Sequence, residues 1–210
     1  GNATAGAKVA HGLSTKPDLI FLRRKDYSGS WYTYHSAEGA TKYGFLEVSS
    51  AFGTASTVWN NTEPTSSVFT LSNQDTNTNT YNYIAYCWHS VEGFSRFGSY
   101  TGNGNVEGPF VYTGFKPSWL LIKNAPATAS WFIIDNKRNL YNPVENWLVS
   151  DDPQAEVVTS GNRKIDFLSN GFKIRSNTTD YNGSGNKIIY MAFAEHPFIG
   201  SSSTSPATAR

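Results

Sequence analysis

The chain has 210 residues, a formal net charge of +1 from 17 basic and 16 acidic residues, and a content that is 39% hydrophobic and 15% aromatic. Charge so evenly balanced, with no basic run longer than Arg23-Arg24-Lys25, excludes nucleic acid as the main partner, because a phosphate-binding face needs clustered Lys and Arg. No apolar run reaches the length of a bilayer crossing, so membrane insertion is not expected, and the single cysteine, Cys87, excludes an internal disulfide.

In chain order, Lys8–His11 reads as a short extended lead-in. Pro17 biases Lys16 toward extended geometry. Leu19–Leu22 then forms a continuous apolar run, the pattern of a strand covered on both faces. After a polar turn at 26–30, Trp31–His35 is its aromatic-rich hairpin partner. The 36–42 stretch has room for one helical turn, which Gly39 weakens. Phe45–Val48 reads as a strand, with Trp147–Val149 as its counterpart. The 49–67 stretch is polar and loop-like, interrupted by Val58-Trp59. Val68–Leu71 alternates as a strand does, 72–80 is turn-rich, and Tyr83–Trp88 has the strongest strand signal of the first half. The second half repeats the scheme. Phe110–Thr113 leads in, followed by strands at Trp119–Lys123 and Trp131–Asp135. A divergent stretch at 137–142 follows. Phe172–Arg175 alternates, with Phe172 and Ile174 facing inward. A long turn spans 178–186, Ile188–Ala194 closes the core, and Ile199–Arg210 reads as a loose tail.

The two halves echo each other at a spacing of roughly a hundred residues. Gly12, Lys16-Pro17 and the apolar run to Arg23 correspond to Gly114, Lys116-Pro117 and the run to Lys123. Trp31–His35 corresponds to Trp131–Asp135, Phe69-Thr70-Leu71 to Phe172-Lys173-Ile174, and Tyr83–Trp88 to Ile188–Phe193. The expected fold is therefore all-β, built as two tandem homologous β-sandwich (jelly-roll-like) repeats over 1–97 and 98–198, with a C-terminal tail at 199–210. One larger sandwich with shared sheets is the alternative. The second copy carries Gly98-Ser99-Tyr100-Thr101 ahead of Gly102-Asn103, whereas the first opens at Gly1-Asn2. That difference implies a fragment of a longer protein, cut where a strand precedes residue 1.

Chemistry has little purchase in this composition. The histidines His11, His35, His89 and His196 show no metal-ligand spacing, and their counterparts in the other copy are not histidines. They read as surface or strand-edge residues. Gly-x-Ser-x-Gly and phosphate-binding Gly loops are absent. Carboxylates such as Glu47, Glu92, Asp135 and Glu195 are candidates for a glycosidase pair, but spacing in sequence does not set their separation in space. The 73–77 run, Asn-Gln-Asp-Thr-Asn, has oxygen ligands for calcium but lacks the Gly and terminal Glu of an EF-hand. No catalytic residue, metal or cofactor is assigned. Aromatic residues in loops beside Asn and Asp suit sugar stacking and hydrogen bonding, which singles out Trp59, Tyr81 and Tyr181 as candidate ligand-binding residues.

Several blocks carry a family resemblance. Val9-Ala10-His11-Gly12-Leu13 with Lys16-Pro17-Asp18-Leu19-Ile20, Trp59-Asn60-Asn61-Thr62, Tyr86-Cys87-Trp88, the junction Glu92–Gly104, Gly108–Phe115 and Tyr190–Glu195 resemble an uncharacterised repeat domain of marine bacteriophage proteins. The resemblance spans about residues 1–198. It implies a non-enzymatic virion structural protein, the C-terminal part of a tail fibre or spike, on the virion exterior. Its implied partners are other virion proteins and a host cell-surface glycan or receptor, with a homotrimer as the assembly of such fibres. A capsid decoration protein and a glycan depolymerase are the alternatives.

Overall fold

The computed structural model describes residues 1–158 and 161–197, so the tail expected at 199–210 lies outside the described residues. The fold is all-β, with every named strand pair antiparallel. The described residues divide into two compact units, the first comprising Gly1–His89 with Ala125–Thr128 and the second Ser90–Asn124 with the described residues from Ala129 onward.

The first unit contains β1 (Ala7–Ala10), β2 (Leu19–Arg24), β3 (Tyr32–His35), β4 (Lys42–Phe45), β5 (Gly53–Thr54), α1 (Ser56–Trp59), β6 (Val68–Leu71) and β7 (Tyr83–Trp88). β2 to β5 form a meander in which each strand pairs the next, and β7 joins the far side of β2. β1 pairs β6 in a separate ribbon. Ile20, Leu22 and Tyr34 from the larger sheet share one buried cluster with Phe69 and Leu71 from the ribbon. The core therefore lies between the two sheets, which is the sandwich arrangement. Two local expectations shift. The strand expected at Phe45–Val48 lies earlier, at Lys42–Phe45, because Glu47 turns its carboxylate onto the Trp31 N–H at 2.9 Å and leaves the ladder. The 36–42 stretch is made of turns rather than a helical turn. The helical turn falls instead at α1, which drives Val58 and Trp59 into the core and is closed by Asn60 in the left-handed region at φ 51°.

The second unit contains β8 (Ser95–Thr101), β9 (Phe110–Tyr112), β10 (Pro117–Asn124), β11 (Phe132–Asp135), β12 (Leu148–Val149), β13 (Ile165–Leu168), β14 (Gly171–Ile174), α2 (Thr179–Asn182) and β15 (Lys187–Ala194). The order β12-β11-β10-β15-β8 makes one sheet and β13-β14-β9 the other. Leu120, Ile122, Phe132 and Ile134 meet Val111, Ile165, Phe167, Phe172 and Ile174 in a single buried cluster. Alternation explains the inner face, since Phe172 and Ile174 are fully buried while Lys173 between them is not.

Hydrogen bonds recur at matching positions. Trp31 N–H donates to Glu47 and Trp131 N–H to Asp151, each at 2.9 Å. Leu46 N–H and Ser150 N–H donate to the carbonyls of Trp31 and Trp131, each at 3.1 Å. Asn77 accepts from the Asn2 N–H at 3.0 Å and donates to Asn2 Oδ1 at 2.7 Å. Asn182 accepts from the Asn103 N–H at 2.9 Å and donates to Asn103 Oδ1 at 3.0 Å. In the first unit the buried Asn77 thereby pins the segment ahead of β1 to the 72–80 turn, and in the second Asn182 pins the exit from β8 to the 178–186 turn.

Candidate functional site

None of the loop aromatics singled out from sequence presents an open ring platform within its own unit. Trp59 is 2% exposed and Tyr181 1%, so neither offers a ring face to a ligand. Both sit in short helices that the polar loop composition concealed, and both pack edge-on against core rings, Trp59 on Tyr34 at 5.9 Å and Tyr181 on Phe132 at 5.4 Å. Tyr81 is half-buried, and one face carries the Arg24 guanidinium, 4.4 Å from the ring centroid. Arg24 also lies 4.7 Å from the Tyr27 ring, so the Tyr81 face is part of a cation–π contact rather than an open platform. In the 73–77 run, Thr76 is buried with its hydroxyl donating to the Val58 carbonyl at 2.8 Å, and Asn77 is committed to Asn2 and Thr4. These oxygens are used in holding the turn. His35 is a buried residue, not a surface one, and its Nδ1 accepts from the Ala37 N–H at 3.1 Å.

A different site emerges in the second unit, at the ends of β10, β11 and β15. There a cleft of about 620 Å³ is lined by Trp119, Asp135, Asn136, Lys137, Arg138, Glu156, Glu195 and His196. A neighbouring hollow of about 290 Å³ shares Asn136, Lys137 and Glu195 with it and extends past Leu140, Tyr141 and Asn142. Tyr141 is 84% exposed and Leu140 79%. The loop that presents them is rigidly footed. Asn139 Oδ1 accepts from the N–H groups of Glu145 at 3.0 Å and Asn146 at 2.7 Å. The Asn142 side chain both donates to the Phe167 carbonyl at 2.8 Å and accepts from the Phe167 N–H at 2.9 Å.

Charges in the cleft are arranged as bridged pairs. Asp135 caps the turn after β11 by accepting from the N–H groups of Lys137 at 2.9 Å and Arg138 at 3.0 Å. Its second oxygen lies 2.8 Å from Arg138 Nε, and Arg138 also contacts Glu156. Glu195 accepts from Lys116 Nζ at 2.7 Å and Asn136 Nδ2 at 2.8 Å. The Lys116 ammonium, helped by Asn136 and opposed by partial burial, holds the Glu195 carboxyl below the usual carboxylate range. A general acid of glycoside hydrolysis needs the opposite shift. The cleft and the hollow next to it therefore combine a half-buried indole in the one, an exposed phenol in the other, and amides and fixed opposite charges between them. That is the lining that stacks on a sugar ring and satisfies its hydroxyl groups.

Asp135, Glu156 and Glu195 stand in the sequence only as scattered carboxylate candidates. Glu156, far from the other two in sequence, carries no local signal that would place it beside Arg138. The exposed Leu140-Tyr141 pair within a divergent stretch was the legible clue, since large apolar side chains at a loop tip find no core to enter.

The described residues thus define an all-β protein of antiparallel sheets with a polar, aromatic-flanked cleft at one sheet end. None of their helices is long and apolar enough to cross a membrane. Residues 1–197 match the family described as a domain of unknown function, DUF7483, and the chain belongs to that family. No curated protein and no solved structure matches the chain.

Proposed function

We propose that this chain is a non-catalytic adhesion module of a phage appendage that grips host-surface glycan through the cleft of its second unit. The observation that carries the adhesive part is the cleft lined by Trp119 and a fixed set of amide and charged groups, which continues through Asn136, Lys137 and Glu195 into the hollow where the solvent-exposed Tyr141 stands. The virion setting is supported by the block-by-block resemblance to phage repeat proteins. The two units are read as successive copies of one sandwich design, a reading supported by the matched hydrogen bonds of Trp31 with Trp131 and of Asn77 with Asn182.

The test is binding of the labelled chain to host cells, with free surface polysaccharide as competitor. Saturable, competed binding is expected, and Tyr141→Ala together with Trp119→Ala should weaken it on the order of tenfold or more, as lost aromatic stacking on a sugar would. Both side chains are at least partly exposed, so folding should survive, which circular dichroism checks. Binding to purified capsids and not to cells would move the chain to a decoration role. Release of reducing sugar would make it a depolymerase. Either result would displace the present reading.

A further inference from the structure

The two five-stranded sheets end differently. In the second unit β15 lies between β10 and β8, whereas in the first β7 pairs only β2 among the described residues and forms the edge of its sheet there. Register identifies β7 with β15: Ile20 faces Cys87 as Leu120 faces Ala192, and Leu22 faces Ala85 as Ile122 faces Tyr190. Burial reflects the missing neighbour. Residues Ile188 to Ala192 are all buried, but every residue from Tyr83 to Trp88 is half-buried or exposed. The Lys25 N–H bond to the Asn82 carbonyl sets the alternation, which directs the N–H and C=O groups of Tyr83, Ala85 and Cys87 away from β2. Their counterparts Ile188, Tyr190 and Ala192 face Tyr100, Gly98 and Arg96 of β8. The β7 sequence contains no charge and no proline, the devices that normally protect an edge from pairing.

We propose that β7 is an acceptor edge that takes one antiparallel strand of the β8 kind from a neighbouring repeat of the same family. This rests on the two-copy reading of the units and not on the glycan reading. The second unit indicates what the strand looks like. Gly98 is required there because a Cβ at that position would lie 2.8 Å from the Tyr190 hydroxyl. At β7 the facing residue is Ala85, so the incoming strand has room for a bulky apolar side chain where β8 has glycine. Its direction is also set. The Gly1 amino group donates to the Tyr81 carbonyl at 2.5 Å, just as the Gly102 N–H, directly after β8, donates to the Asn186 carbonyl at 2.9 Å. The strand therefore runs with its C-terminal end beside Gly1. Pairing of this kind is strand addition, in which main-chain bonds supply affinity and alternate side chains supply selectivity.

Cys87 is the reporter. It is the only cysteine and half-buried on β7, whereas its counterpart Ala192 beneath β8 is fully buried. The full chain is extended ahead of Gly1 with a copy of Ser95–Thr101, with the same copy carrying Gly98→Leu, or with the copy carrying Gly98→Pro. Thiol labelling of Cys87 is then timed under native conditions. The Gly98→Leu extension should slow labelling on the order of tenfold or more by covering the edge and raise Tm, with the unmodified copy weaker. The Gly98→Pro extension, which lacks the N–H and is excluded from a paired position, should give no protection. Unprotected Cys87 with the leucine-bearing extension, or equal protection by the proline-bearing one, overturns the proposal. Concentration-dependent dimerisation of the unextended chain with Cys87 protected would assign the edge to a second copy and overturn it as well. Glycan binding is not read in this experiment, so its outcome is separate from the fate of the cleft.

Discussion

Asn182→Asp is expected to destabilise the second unit by about 4 kcal/mol or more, because it places an anion among buried acceptors. Asn182 is fully buried. Its amide donates to Asn103 Oδ1 at 3.0 Å, to the Asn105 carbonyl at 2.8 Å and to the Ser176 carbonyl at 2.5 Å. Aspartate has the same shape but no donor when ionised, so the two amide hydrogens shared among these three oxygens are lost and the oxygens face a negative charge. A loss of that size is a large fraction of the total stability of a small domain. The deficit should be full above the raised pKa that burial imposes on the introduced carboxyl. It should shrink as pH falls below that value toward the ordinary aspartate pKa of about 3.9, where the protonated acid regains one donor. Urea unfolding followed by tryptophan fluorescence at pH 7 and pH 4 measures both parts. Asn77→Asp, with two oxygen acceptors at Asn2 and Thr4, should cost less. A variant within 1 kcal/mol of the parent at pH 7 would mean that the network is not formed, since even one unmet buried donor or acceptor costs about that much.

The second large effect concerns Lys123, a residue of β10 that is 0% exposed on the sheet face opposite Leu120 and Ile122. Its ammonium donates to the Asn124 carbonyl at 2.8 Å. Burial pushes its pKa down to about 8, against the pull of the Asp151 and Asp180 carboxylates. The unfolded chain keeps the proton to the ordinary value of 10.5. Between those two values the unfolded state binds more protons than the folded one, so stability rises with pH across the window from about 8 to 10.5. The gain from this one group is on the order of 3 kcal/mol. Lys123→Met lacks the titration. At pH 7 the variant should match or exceed the parent, as apolar replacement of a buried charge often does, and the parent should gain on it steadily up to pH 10.5. Tyrosines such as Tyr181, whose pKa burial raises, are common to both chains and cancel in the difference. A flat difference from pH 7 to 10.5 would mean that Lys123 carries the same proton affinity folded and unfolded.

Strands were legible where side chains alternate or run apolar without interruption. Val68–Leu71 and Tyr83–Trp88 are β6 and β7 to the residue, and Phe172 and Ile174 face inward as their spacing requires. β13 passed unread because Ile165-Asp166-Phe167 is too short a period-two pattern to stand out. α1 and α2 are four-residue helices inside polar stretches. Neither is long enough to show a helical period, and the aromatic residue each one buries was therefore read as a loop residue. Val58-Trp59 interrupting a polar run was a packing signal, and so was Tyr181 just after Thr-Thr-Asp, a helix-start pattern. The cleft was hidden for another reason. Asp135, Glu156 and Glu195 converge only after β11, the loop beyond β12 and β15 have been placed, and that convergence is a property of topology rather than of spacing.

The buried asparagine of the second unit has a chemical consequence. Asn182 is followed by Gly183, and an asparagine before glycine is the pair most open to ring closure, in which the glycine nitrogen attacks the side-chain amide, ammonia leaves and hydrolysis yields aspartate or its isomer. In the folded unit the amide is held by three acceptors and shut away from water, which keeps the attack geometry out of reach. Once unfolded, that protection is gone, and each molecule that deamidates acquires the same acidic group that the native site rejects. Unfolding of this unit thus runs against a clock. The fraction that refolds after holding in urea at pH 8 should decline with holding time, in step with the one-dalton mass gain at Asn182, and a short exposure should be fully reversible.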